Sequence, residues 1–277
     1  MLAEALQVHP GDRVAFVGAG GKTTAAWRLM AELSGLAPVL FTTTTQILEP
    51  RLEPGLALLL TGERGDPLER LPGLLAQARR VVAAHRRRAE PLPPGLLHDE
   101  ERVPVRPIKL TGFPPALVDR LAQALPGVTL LVEADGARRK GLKAPAPHEP
   151  VIPASAGRVV LVASLEVVGR PLEAQWVHRA EVAASLLGEP VGVPMTPERV
   201  ARLLAHPAGG LKGVREHQRV AVLLTQEQAG GDGGPLPVEE AAGTIAQALL
   251  ESGPIERVVR VALGREHPVL QVWRRGL

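Results

Sequence analysis

The sequence predicts an α/β protein with a mostly parallel sheet flanked by helices, and three observations point there. Short apolar runs alternate with amphipathic segments along the whole chain. The run 14–17 leads through a glycine-rich turn into a helical pattern. A second run, 128–132, ends in Glu133-Ala134-Asp135-Gly136, which puts acidic side chains at the strand end where open parallel sheets hold ligands. The 277 residues suffice for one large core, and the expectation is a single domain over 1–277 with a subsidiary portion from about 214.

The first strand and turn read Arg13-Val14-Ala15-Phe16-Val17-Gly18-Ala19-Gly20-Gly21-Lys22-Thr23-Thr24. Strand, glycine-rich turn and helix is the context a phosphate-binding loop requires, so a P-loop NTPase-like fold is expected. Gly18, Ala19, Gly20, Gly21, Lys22, Thr23 and Thr24 are the predicted nucleotide contacts. Glycines bring backbone N–H groups close to phosphate oxygens, Lys22 supplies a cation for the terminal phosphates, and a threonine hydroxyl suits magnesium. Phe16 stands where the eight-residue Walker pattern has its first glycine, leaving a shorter G-x-x-G-K-T loop like that of Mur-type ATP-dependent ligases. The alternative is an ordinary strand-to-helix turn whose glycines serve geometry alone.

A helix over 23–33 ends at Gly35 and Pro38, and a short strand over 39–41 runs into Thr42, Thr43, Thr44 and Thr45. Their hydroxyls suit a metal or an attacking water, with Thr44 the predicted metal ligand; β-propensity and capping explain them equally well. A strand at 56–60, a helix at 67–78 and a strand at 80–84 follow. Residues 86–107 read as loops or an edge hairpin, and Pro114-Pro115 opens a helix to about 125.

Glu133 and Asp135, two apart, share a face if the strand continues, and two carboxylates side by side require a cation between them. They are the predicted magnesium ligands with Thr23, and catalytic groups with Lys22 and His148. A capping role for a loop acid is the alternative. Next comes a basic, proline-rich loop. Its Arg138, Arg139, Lys143 and His148, with His178, Arg179 and Lys212 beyond, are assigned to a second, anionic substrate. A solvated basic loop is the competing reading.

Further on, a strand at 158–163, a helix at 174–187, a Thr196-capped helix to 204 and a glycine-rich loop around Lys212 are expected. A strand at 219–224, a flexible turn at 230–234, a helix at 238–251 and strands at 257–263 and 269–273 complete the pattern.

Composition excludes several classes. There is no cysteine, hence no disulfide, thiolate metal site or cysteine nucleophile. The net charge is only +3, and with 2% aromatic residues and no tyrosine, stacking on nucleic acid is not expected. No run is long enough to span a membrane and no secretory pattern opens the chain, so a cytoplasmic location is expected.

Taken together these stretches resemble the selenium-dependent molybdenum hydroxylase accessory family, the YqeC-like proteins. The resemblance runs through Val17-Gly18-Ala19-Gly20-Gly21-Lys22-Thr23-Thr24, the threonine run and Val132-Glu133-Ala134-Asp135-Gly136-Ala137. It continues through Lys143-Ala144-Pro145-Ala146-Pro147-His148-Glu149-Pro150-Val151-Ile152-Pro153, Val177-His178-Arg179, Thr196-Pro197-Glu198, His206-Pro207 and Leu211-Lys212-Gly213. It implies a nucleotide-binding role in selenium cofactor maturation, with a molybdopterin-type cofactor and a molybdenum hydroxylase as partners. Where some P-loop proteins read guanine with Asn-Lys-x-Asp, Thr225-Gln226-Glu227-Gln228 stands here, which favours ATP over GTP. Two functions compete: a magnesium-dependent NTP hydrolase or phosphoryl transferase, and a nucleotide-gated carrier for the cofactor or hydroxylase. A Mur-like ligase would need a further domain for its amine substrate.

Overall fold

The structure, a computed structural model, describes residues 1–62, 65–89, 108–226, 237–251 and 253–276. Its first strand, β1 (Arg13–Gly18), is buried from Val14 to Val17, the continuous apolar run that a parallel strand covered on both faces demands. A one-turn helix, α1 (Leu2–Leu6), precedes it; five residues were too few to show a period in the sequence. After β1 come α2 (Lys22–Leu33), β2 (Val39–Thr43), β3 (Gln46–Leu48) and β4 (Leu56–Leu60).

Helix α3 (Pro67–Ala78) starts where Asp66 accepts the Leu68 N–H at 3.0 Å and Pro67 takes the first position. Next are β5 (Arg80–Ala84), β6 (Arg86–Ala89), β7 (Ile108–Thr111), α4 (Pro115–Ala124), β8 (Thr129–Glu133) and the two-residue β9 (Leu142–Lys143). The chain continues with β10 (Arg158–Ser164), the equally short β11 (Val177–His178), α5 (Ala180–Leu187), α6 (Pro197–Ala205) and β12 (Arg219–Thr225). It ends in α7 (Val238–Glu251), β13 (Ile255–Val261) and β14 (Val269–Arg274).

Among the described residues nine strands form one sheet in the order β14-β13-β12-β10-β1-β8-β2-β5-β4, parallel throughout except for β14, which is antiparallel to β13. The residues beyond 214 therefore add β12, β13 and β14 to the same sheet as β1. One face carries α1 and α2 over Phe16, Phe41 and Val160, with Trp27 edge-on to Phe41 at 5.3 Å. The other face carries α3 and α4 at one end and α5, α6 and α7 at the other. Helices on both faces of a mostly parallel sheet match the P-loop NTPase-like architecture expected from the sequence.

A small antiparallel sheet, β3-β7-β6, sits beside the main one and contains the exposed Arg86, Arg87 and Arg88. The expected edge hairpin is thus met at its first strand, while residues 90–107 and the turn expected at 230–234 lie outside the described residues. Among the described residues no helix is long and apolar enough to cross a membrane.

One expectation is corrected. A helix over 174–187 is not formed; α5 begins only at Ala180. Val177 and His178 instead pair in parallel with Leu142 and Lys143, and Arg179 takes φ +62°, a left-handed conformation that no helix interior accepts. Pairing with a distant segment overrides a locally acceptable helix pattern.

Because the central strands are parallel, their carboxyl ends all reach one edge. Gly18, Glu133, Thr43, Ser164 and Thr225 close β1, β8, β2, β10 and β12 there.

Candidate functional site

The loop after β1 is built from left-handed glycines. Gly18, Gly20 and Gly21 have φ of +96°, +80° and +123°. A Cβ on Gly20 would stand 2.7 Å from Ser164 Cβ and 2.8 Å from Ser164 N, and one on Gly18 would strike the Val162 carbonyl. The loop is held from the β10 side by the Ala19 N–H, which donates to Val162 O at 2.8 Å, and from β12 by the Thr225 hydroxyl, which donates to Gly20 O. Gly21 caps α2, so Lys22, Thr23 and Thr24 form its first turn, and no acidic residue lies in that turn. A first turn leaves backbone N–H groups without helical partners and carries the positive end of the helix dipole, a preformed attraction for an anion.

Both predicted carboxylates reach this turn. Parallel pairing sets Phe16 opposite Glu133, which brings the end of β8 beside the loop. Thr23 Oγ1 donates to Glu133 Oε2 at 2.6 Å, and the Gly18 N–H donates to Asp135 Oδ2 at 3.0 Å. Lys22, only 5% exposed, turns its ammonium inward: it donates to Gly18 O at 2.6 Å and lies 2.8 Å from Asp135 Oδ1 and 3.8 Å from Glu133 Oε1. Burial drives the Glu133 carboxyl above its ordinary value, opposed by the Lys22 charge and the Thr23 hydrogen bond.

Behind them stands a second row of charges. Lys143 Nζ lies 3.0 Å from Asp135 Oδ2 and 3.0 Å from Glu149 Oε2, and donates to Gly136 O at 2.7 Å. Arg179 Nη1 donates to the same Glu149 oxygen at 2.7 Å and to Ala144 O at 3.3 Å. Burial lowers the His178 imidazole, helped by the Arg179 and Lys143 charges, to about 4.

The structure thus brings together Gly18, Lys22, Thr23, Glu133, Asp135, Lys143 and Arg179. Ala19, Gly20, Gly21 and Thr24 are in the same loop, Thr24 exposed. Thr44 stands next to them: its N–H donates to Glu133 O at 3.1 Å and its hydroxyl to Val151 O at 2.8 Å. The neighbouring hydroxyls of Thr42 and Thr43 donate to Ala83 O and Glu133 O, tying β2 to its flanking strands. Arg138, Arg139 and His148 are exposed, the two arginines with φ of +47° and +59°. Lys212 donates to Ala146 O and Pro147 O, pinning the proline-rich loop. Glu149 is the residue that sequence reasoning left out; an acid flanked by prolines in a basic stretch was the available signal.

Among the described residues no three His, Cys, Asp or Glu side chains gather as a metal cage. Magnesium, however, is commonly held by one or two carboxylates together with phosphate oxygens and water, and the Thr23–Glu133 oxygen pair is a donor set of that kind.

A family model described as YqeC protein matches residues 14–181, more than half of the chain. The chain belongs to the YqeC family. A curated relative, "Uncharacterized protein YqeC" of Escherichia coli (strain K12), is 35% identical over 106 residues, covering 38% of this chain and 41% of that relative. The YqeC match spans the glycine loop, both carboxylates, Lys143, Glu149, His178 and Arg179, and leaves Lys212 and β12 to β14 beyond it.

Proposed function

We propose that this YqeC protein binds a nucleotide, ATP in preference to GTP, at the loop from Gly18 to Thr24. The observation that carries the reading is the convergence of that loop with Thr23, Glu133 and Asp135 at one sheet edge. Backbone N–H groups of the first turn of α2 would take the phosphate oxygens, and Lys22 would neutralise their charge. Thr23 and Glu133, with Asp135 and Thr44 close by, would hold a magnesium ion, which when bound offsets charge on the phosphates. Asp135 fixes the start of the loop through the Gly18 N–H.

Positioning and charge neutralisation are the main protein contributions to phosphoryl transfer, so the expected activity is NTP hydrolysis or phosphoryl transfer. Exposed Arg138, Arg139 and His148 would meet a second, anionic partner. The resemblance described above supports a role in selenium cofactor maturation of molybdenum hydroxylases, with a molybdopterin-type cofactor as that partner.

Calorimetry of ATP and GTP with magnesium, on the wild type and Lys22→Ala, tests the site. Binding that Lys22→Ala abolishes while the fold is retained is the expected result. Equal affinity in both proteins would overturn it, and binding without turnover would transfer the reading to a nucleotide-gated carrier.

A further inference from the structure

We propose that Lys143 is the positioning residue that keeps Asp135 paired when Lys22 leaves it for a bound phosphate. This role rests on the phosphate-binding reading and adds to it a buried cation that no direct phosphate contact would reveal.

The Lys22 side chain is 4% exposed and its ammonium is taken up by Gly18 O, Asp135 and Glu133. An anion seated on the first turn of α2 reaches that ammonium only if it swings outward. Its contact with Asp135 Oδ1 is ionic and not an aligned hydrogen bond, which suits exchange. The difficulty is what stays behind. Asp135 is 2% exposed, and a buried carboxylate stripped of its counter-charge is strongly unfavourable.

The two oxygens of Asp135 are divided between two lysines. Lys22 sits on Oδ1, while Lys143 and the Gly18 N–H sit on Oδ2. Departure of Lys22 therefore leaves the second oxygen fully engaged. Lys143 cannot follow, because Gly136 O and Glu149 hold its ammonium and the pairing of β9 with β11 holds its backbone. All its acceptors lie inside the protein. Glu133 meanwhile retains the Thr23 hydroxyl.

The test is ADP binding by calorimetry in EDTA, which removes metal ligation from the comparison, on the full chain. Four proteins are compared: wild type, Lys143→Met, Asp135→Asn and the double variant. Lys143→Met is expected to weaken ADP by about 5- to 150-fold, the usual range of coupling between sites. Asp135→Asn added to it is expected to restore most of the loss, since a neutral amide needs no counter-charge and Glu149 still has Arg179. A merely structural lysine would show no such rescue. A double variant binding no better than Lys143→Met, or a Lys143→Met protein binding like wild type, overturns the proposal. If Lys143→Met fails to fold, a folded, ADP-binding double variant supports the role, and a double variant that fails beside a competent Asp135→Asn refutes it. Wild type that binds no ADP refutes the phosphate site itself, and this role with it.

Discussion

Arg179 closes onto Glu149 from a strained position: its guanidinium lies 2.7 Å from Glu149 Oε2 while its own backbone takes φ +62° immediately before α5. Lys143 shares that oxygen from the opposite segment. Two cations on one carboxylate clamp the proline-rich loop onto the short β9–β11 pair, whose Leu142 and Val177 are buried in the core. The clamp and the glycine loop are joined through Lys143 and Asp135, so both loops are tied to one chain of charges.

The clamp predicts an acid-sensitive contribution to stability. Burial alone would raise the Glu149 carboxyl, but the Lys143 hydrogen bond and charge, the Ala146 N–H and the Arg179 charge together lower it from 4.5 to about 2. A folded value below the unfolded one means that the contribution is complete above 4.5 and is lost as pH falls toward about 2. Glu149→Gln is expected to unfold with about 1–3 kcal/mol less free energy near neutral pH, the shift being partly screened by solvent, and to show a flatter decline between those two values. Urea unfolding across that range decides it; parallel acid limbs in both proteins would refute the assignment.

The glycine loop predicts a sharp contrast between two substitutions. Gly20→Ala must accept φ +80° and a Cβ 2.7 Å from Ser164 Cβ, against a strand that cannot retreat. A cost of about 2–4 kcal/mol is expected from left-handed backbone plus overpacking. Gly136→Ala, three residues beyond the end of β8 at the same sheet edge, meets nothing within 4 Å and should change stability by less than about 0.5 kcal/mol. Thermal unfolding of the two variants side by side checks this, and equal losses would remove steric fit as the reason for glycine at position 20.

Much of this edge was legible because its signals are local. An apolar run, three glycines and Lys-Thr-Thr specify β1, the turn and the start of α2 within a dozen residues, and the run ending in Glu133 specifies β8. What stayed hidden depends on partners far along the chain. His178 pairs with Lys143, 35 positions away, and so 174–179 abandons a helix that its own residues permit. Gln46–Leu48 and Ile108–Thr111 are too short to show a period, and form strands only against each other and Arg86–Ala89. The inward turn of Lys22 was also invisible, since the spacing of Lys22, Glu133 and Asp135 in sequence says nothing about which oxygen the ammonium meets. The threonine run supplied a metal hypothesis by composition; three of its hydroxyls serve as donors to the carbonyls of Ala83, Glu133 and Val151.

His178 provides the last prediction. Half-buried, it follows Val177 on β11 and precedes Arg179, and burial first, then the Arg179 and Lys143 charges, lower its imidazole from 6.5 to about 4, with Glu149 pulling the other way. The ring is therefore neutral at pH 7, with one nitrogen a hydrogen-bond donor and the other an acceptor. Because the folded value lies below the unfolded one, this histidine costs stability progressively as pH falls from 6.5 toward about 4. Its ring resonances in an NMR titration are expected to move with a midpoint near 4, and Arg179→Leu should shift that midpoint upward by removing a neighbouring cation. A wild-type midpoint at the ordinary 6.5 would show that the ring is solvated and that Arg179 and Lys143 spend their charge on Glu149 alone.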